Sequence, residues 1–90
     1  MMRAVLTVIG KDKVGIIAGV STKLAELGIN ILDVSQTIMD EYFTMMMILS
    51  LAKEGTNFEE IRETLNLLGN ELGVKISIQN EEIFNVMHKL

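Results

Sequence analysis

Two stretches with a period near 3.6 residues, each closed by a glycine and flanked by β-like runs, leave this 90-residue chain few ways to fold. Residues 3–9 are β-rich and nearly all apolar, which predicts a central strand covered on both faces. Gly10 to Lys13 form a turn. From Val14 to Leu27 the apolar residues Ile16, Ile17, Val20, Leu24 and Leu27 recur at helical spacing, and Gly28 reads as the left-handed residue that ends the helix. Ile29 to Met39 is a second strand, alternating between Asn30, Leu32, Val34, Gln36, Ile38 and Ile31, Asp33, Ser35, Thr37, Met39. Asp40-Glu41 is a hairpin turn. Tyr42 to Leu51 is a third strand, with Phe43, Met45, Met47, Leu49 and Leu51 on a buried face and Met46 on the opposite one. After the loop Lys53-Glu54-Gly55, Thr56 and Glu59 form a capping-box pattern. The following helix carries Phe58, Ile61, Leu65, Leu68 and Leu72 on one stripe and ends at Gly73. Val74, Ile76 and Ile78 then mark a fourth strand.

The order β-α-β-β-α-β, with two right-handed β-α-β units, predicts an α+β fold: a ferredoxin-like sandwich with a four-stranded antiparallel sheet in the order 4-1-3-2 and both helices on one face. Residues 1–79 make that domain. Residues 80–90 form a C-terminal amphipathic helical tail, because Ile83, Val86, Met87 and Leu90 fall at helical spacing. A helix this short needs a surface to dock on, either the open face of its own sheet or a partner subunit.

Composition narrows the function. Half the chain is hydrophobic (49%) and 22% is charged, so it folds as one domain. It has no cysteine, which removes disulfides, thiolate metal sites and cysteine nucleophiles and fits a cytoplasmic protein. The net charge of -4, with scattered Lys and Arg, argues against a nucleic-acid or membrane surface. The N-terminus runs straight into a β pattern and not into a signal-peptide core. The only histidine, His88, lies in the tail, and no residues are assigned as catalytic or metal-binding.

The strand-turn-helix at Gly10-Lys11-Asp12-Lys13-Val14-Gly15-Ile16-Ile17 presents backbone N–H groups at the positive end of a helix dipole, a seat for a carboxylate. Lys11 and Lys13 add positive charge at its mouth. Asp12 or Asp33 can pair with an ammonium, and Asn30 can bond either group, so a small zwitterion suits the pattern. The same residues also have a purely structural account. Gly10 and Gly15 satisfy turn geometry and tight packing, Asp12 caps the helix, and Asn30 and Asp33 are turn and strand-start residues. Strand 2 sits at an edge of the predicted sheet and has no Lys or Pro to guard it, which predicts a homodimer through this strand and the adjacent first helix, the alternative being that the C-terminal helix covers the edge.

With those residues in view, the chain resembles an ACT domain over residues 3–79. The resemblance is closest over Leu6 to Ile17, Gly28 to Asp33 and the Gln36 region. It is similar to the ACT modules of the glycine cleavage system transcriptional repressor and of formyltetrahydrofolate deformylase, and most similar to small stand-alone ACT proteins. The resemblance implies a regulatory module, not an enzyme, that binds an amino acid or similar metabolite at a subunit interface and takes no cofactor. Carried over residue by residue, Asp12, Val14, Gly15, Ile16 and Ile17 form the loop side. Asn30, Ile31 and Asp33 form the junction side, contributed by another subunit. The chain departs from the common family pattern at Lys13-Val14, where Arg-Pro is frequent. A regulated partner protein is implied as well. The alternative is an oligomerisation or protein-interaction module without a small ligand, for which Met45-Met46-Met47 supplies adaptable apolar surface. Acylphosphatase resembles the chain in topology only, and its phosphate-binding arginine has no counterpart in the loop. RNA-recognition modules need aromatics on the central strands, and the first strand has none.

Overall fold

The computed structural model describes residues 2–11, 14–52 and 57–82. Six elements follow in the predicted order: β1 (Met2–Gly10), α1 (Ile16–Glu26), β2 (Asn30–Met39), β3 (Tyr42–Leu51), α2 (Phe58–Leu72) and β4 (Lys75–Asn80). The sheet runs β2-β3-β1-β4, the expected order, with every neighbouring pair antiparallel.

The core lies between the sheet and the two helices. Ala4, Leu6 and Val8 of β1, the odd-numbered residues Phe43 to Leu51 of β3, and Ile76 and Ile78 of β4 face it. Ile16, Val20 and Leu24 of α1 and Ile61, Leu65 and Leu68 of α2 close it from the other side. These are the stripes that periodicity marks. The close fit of α2 on the sheet depends on Gly69. A Cβ there would stand 2.8 Å from the backbone oxygen of Val74, at the entry to β4. Arg62 ties the same two elements together from outside: its Nη2 donates to the Ile78 carbonyl (3.2 Å) and its guanidinium lies 4.9 Å from the Phe58 ring centre.

Gly28 and Gly73, both at φ 72°, end the helices as expected, and Asp40 at φ 58° makes the two-residue turn between Met39 and Tyr42. Three local expectations change. Helix α1 begins at Ile16, because Gly15 at φ 79° is left-handed and cannot continue a helical turn backwards to Val14. Its N-cap is therefore Gly15 and not Asp12. Helix α2 is capped by Asn57, whose side chain accepts from the Glu60 N–H at 3.2 Å. Thr56 lies outside the described residues, and the capping pair is Asn57 with the Glu60 amide. Finally, β2 carries a bulge. Ile31 pairs with Leu49 and Asp33 with Ile48, so Leu32 has no partner and the alternation reverses there. Ile31, Val34, Gln36 and Ile38 thus share the helix-side face, while Asn30, Asp33, Ser35, Thr37 and Met39 share the open face.

Strand β2 is nonetheless uncovered. Every residue from Leu32 to Met39 is exposed on both faces, because α1 barely reaches it. The bulge guards only the start of this edge, which leaves the regular run Asp33–Met39 open.

Candidate functional site

The first helical turn supplies the donors. The first bond within α1 runs from the Gly19 N–H to the Gly15 carbonyl at 2.9 Å. The N–H groups of Ile16, Ile17 and Ala18 therefore precede the intrahelical ladder, and among the described residues no side chain caps the helix at Gly15. Sequence reasoning missed Ala18, which belongs to this set once the helix start moves to Ile16. Space around the turn is open: a Cβ at Gly15 would meet nothing within 4 Å. Gly10 differs, since a Cβ there would collide with the Val74 side chain at 2.4 Å. Packing therefore explains Gly10, whereas Gly15 sets a left-handed turn beside free volume.

The loop-side residues divide by role. Val14 is 84% exposed and Ile17 37%, while the Ile16 side chain is buried in the core and offers the site only its amide. Asp12 and Lys13 lie outside the described residues. Lys11 departs from its expected place at the mouth: its ammonium lies 5.8 Å from the centre of the Tyr42 ring, and Tyr42 is on the open face.

On the junction side, Asn30 is exposed on the open face beside Ser50. Asp33 shares that face, and its Oδ1 accepts from the Val34 N–H at 2.9 Å, which stitches the strand just after the bulge. Its second oxygen has no hydrogen-bond partner among the described residues. Ile31 packs against the core and contributes backbone only.

The two sides stand at opposite ends of the molecule. Gly10 is paired with Phe43 and Asn30 with Ser50, seven positions apart on β3, or about 24 Å at roughly 3.4 Å per residue. Helix α1, whose ends carry the two sides, has eleven residues and spans about 16 Å. No single chain brings its own loop and corner together. A two-fold axis through the middle of the exposed β2 edge would bring the loop end of one copy and the corner end of the other to the same end of a joined sheet. Antiparallel pairing sets the Asn30 end of one strand beside the Met39 end of its mate, and the Met39 end is the end of the sheet where Gly10 lies. A cleft of about 550 Å³ opens elsewhere, between Leu27–Ile29 and the start of α2. Its charged rim, Glu60 and Glu63, has the wrong sign for a carboxylate. Among the described residues no three His, Asp or Glu side chains group closely enough to hold a metal ion.

The family model for the ACT domain matches residues 3–79. The chain belongs to the ACT domain family. ACT domains are regulatory modules that bind small ligands. A UPF0237 protein of Listeria innocua is 67% identical over 89 residues, covering 99% of this chain and all of its own. An ACT domain protein from Streptococcus pneumoniae superposes with a TM-score of 0.83 at 54% identity, over 92% of this chain and 93% of that one. A putative glycine cleavage system transcriptional repressor gives 0.75 at 27% identity, over 87% of this ACT domain and 44% of its own chain. No helix among the described residues is long and apolar enough to cross a membrane.

Proposed function

We propose that this ACT domain binds an amino acid, or a similar small zwitterionic metabolite, at the contact between two copies of the chain. The observation that carries this reading is the separation of the two half-sites, joined to an uncovered β2 edge whose two-fold pairing would reunite them. The carboxylate takes the Ile16, Ile17 and Ala18 amides of one protomer. The ammonium takes the side-chain oxygen of Asn30 of the other, which stands at the first position of its strand, whereas Asp33 lies further in, on the face away from α1. A helix terminus gives an anion roughly 0.3–2 kcal/mol and each charge-assisted hydrogen bond roughly 1.5–3 kcal/mol, against an association cost of several kcal/mol. The expected affinity is about 10 μM to 1 mM, a range that reports metabolite level instead of holding ligand permanently. The ligand then changes how the pair presents itself to a regulated partner protein, without catalysis and with no nucleic acid or membrane involved. The cytoplasm, where free amino acids are abundant, is the natural setting.

The exposed apolar side chains Leu32, Val34 and Ile38 favour a second reading, a pairing module with no small ligand. One experiment separates the two. Light scattering gives the subunit number, and a thermal-shift screen over the common amino acids reports binding by mass action. A dimer stabilised by one or a few amino acids supports the sensor. A dimer indifferent to all of them leaves the pairing module.

A further inference from the structure

An edge strand directs every second residue's N–H and C=O outward, and only those groups can receive another strand. Two observations fix which residues these are on β2. Arg62 Nη2, reaching over from α2, donates to the Ile78 carbonyl at 3.2 Å, so the even-numbered residues of β4 point outward and Lys75, Ser77 and Gln79 bond β1. Carried through the registers of β1 and β3, the same alternation makes Asp33, Ser35 and Thr37 bond β3 and leaves Val34, Gln36 and Ile38 pointing outward. The second sign is independent. The Val34 N–H is bonded to Asp33 Oδ1 at 2.9 Å, a group on its own strand and not on β3. That bond also takes one outward donor out of use. The edge therefore offers the Val34 carbonyl and both backbone groups of Gln36 and Ile38.

Resting on the two-fold pairing of β2 described under the proposed function, we propose that Gln36 of one copy stands opposite Gln36 of the other, on the axis itself, and that Asp33 is the stop that excludes pairing nearer the bulge. With the axis at Val34 or Ser35, the contact needs the Val34 N–H as a donor, and Asp33 already holds it. Centred on Gln36, four bonds form from unoccupied donors: Gln36 N–H to Gln36 C=O in both directions, and Ile38 N–H to the Val34 C=O of the other copy in both directions. Centring on Thr37 also gives four, and there the side chains decide. On the helix side the Gln36 register sets Val34, 44% exposed, against Ile38, 54% exposed, of the other copy, and does so twice. The two Gln36 carboxamides lie between these apolar pairs, each able to donate and to accept. The Thr37 register instead sets the Gln36 carboxamide against Ile38 and leaves Val34 facing the Asp40 turn. A Gln36-centred contact is the same surface on both copies, so it closes at two. Asp33 thereby acts in assembly and not on the ligand, and Gln36 gains a place that the ligand site does not give it.

The absence of native cysteine makes the test direct. In a Gln36-centred pair, Ser35 lies opposite Thr37 of the other copy as a non-hydrogen-bonded pair, with Cα atoms about 4.5 Å apart, within the range of a disulfide. Ser35→Cys and Thr37→Cys, both at exposed positions, are equilibrated in a glutathione redox buffer, each alone and in an equimolar mixture. Non-reducing gels and mass identify the products. The expected result is a disulfide-linked dimer of one variant with the other in the mixture, and no linkage of either variant to itself. Self-linked Ser35→Cys or Thr37→Cys would put the axis on that residue and overturn the register, while a rise in Tm with an amino acid would still uphold the shared site. An unlinked mixture in which light scattering shows dimers would move the contact to another surface and overturn the register as well. Monomers at every concentration would overturn the register and the shared site together.

Discussion

Gly19 and Gly69 both sit inside helices, yet alanine at the two positions is expected to act with opposite sign. Alanine removes backbone freedom from the unfolded chain and favours a helix interior by up to about 1 kcal/mol over glycine. At Gly19 the new methyl would lie 3.1 Å from Leu72 Cδ1, the end of a flexible side chain that yields by a few tenths of an ångström. Propensity wins, and Gly19→Ala raises stability by up to about 1 kcal/mol, or about 4–8 °C in Tm for a domain this size. At Gly69 the methyl would lie 2.8 Å from the Val74 carbonyl oxygen and 3.3 Å from Ile76 Cγ1. That carbonyl cannot swing aside, because the Val74 N–H is bonded to the Gly69 carbonyl at 2.9 Å and the chain enters β4 one residue later. Overpacking costs about 1–3 kcal/mol, which exceeds the propensity gain, so Gly69→Ala lowers Tm by several degrees, up to about 15 °C. Scanning calorimetry of the two variants and the parent, supported by urea midpoints, reads the signs. Shifts of the same sign and size in both variants would refute the close α2–β4 approach on which this reasoning rests.

Asn57→Ala removes the α2 cap and should cost about 1 kcal/mol, seen as a drop in the urea midpoint with unchanged slope. Val34→Lys with Ile38→Lys places two charges on the exposed β2 edge; light scattering should report monomers with a folded circular-dichroism spectrum, since neither side chain is buried. Asn30→Ala should abolish any amino-acid-dependent rise in Tm while moving the ligand-free Tm by no more than about 4 °C, because an exposed substitution changes stability by at most about 0.5 kcal/mol.

The architecture was legible because both periods are clean: the stripes of α1 and α2 and the odd-numbered residues of β3 each point to one layer, and one glycine closes each helix. The details that escaped have physical reasons. Ile31 and Leu32 are both apolar, so nothing in the residues marks which of them is the extra one, and a bulge of one residue reverses every face beyond it. Thr56 with Glu59 and Asn57 with Glu60 offer equally sound caps one residue apart. Val14 fits the helical stripe, but the left-handed turn at Gly15 stops the helix short of it. The candidate residues could be named individually from the loop and the corner. That Ile16 and Ile31 spend their side chains on the core, and that Lys11 turns to Tyr42, required the packing. The separation of the two half-sites became visible only when strand pairing set Gly10 beside Phe43 and Asn30 beside Ser50.

A mixing experiment tests the shared site most directly. Val14→Asp places a carboxylate beside the α1 amides at a position 84% exposed, and Asn30→Ala removes the corner. Each variant alone should fail to bind, by calorimetry, the amino acid that stabilises the parent. Mixed in equal amounts and allowed to exchange subunits, half the dimers are hybrids with one intact loop facing one intact corner, so about one quarter of the parent's binding sites should return. A mixture as silent as its two components would contradict a site built from two chains.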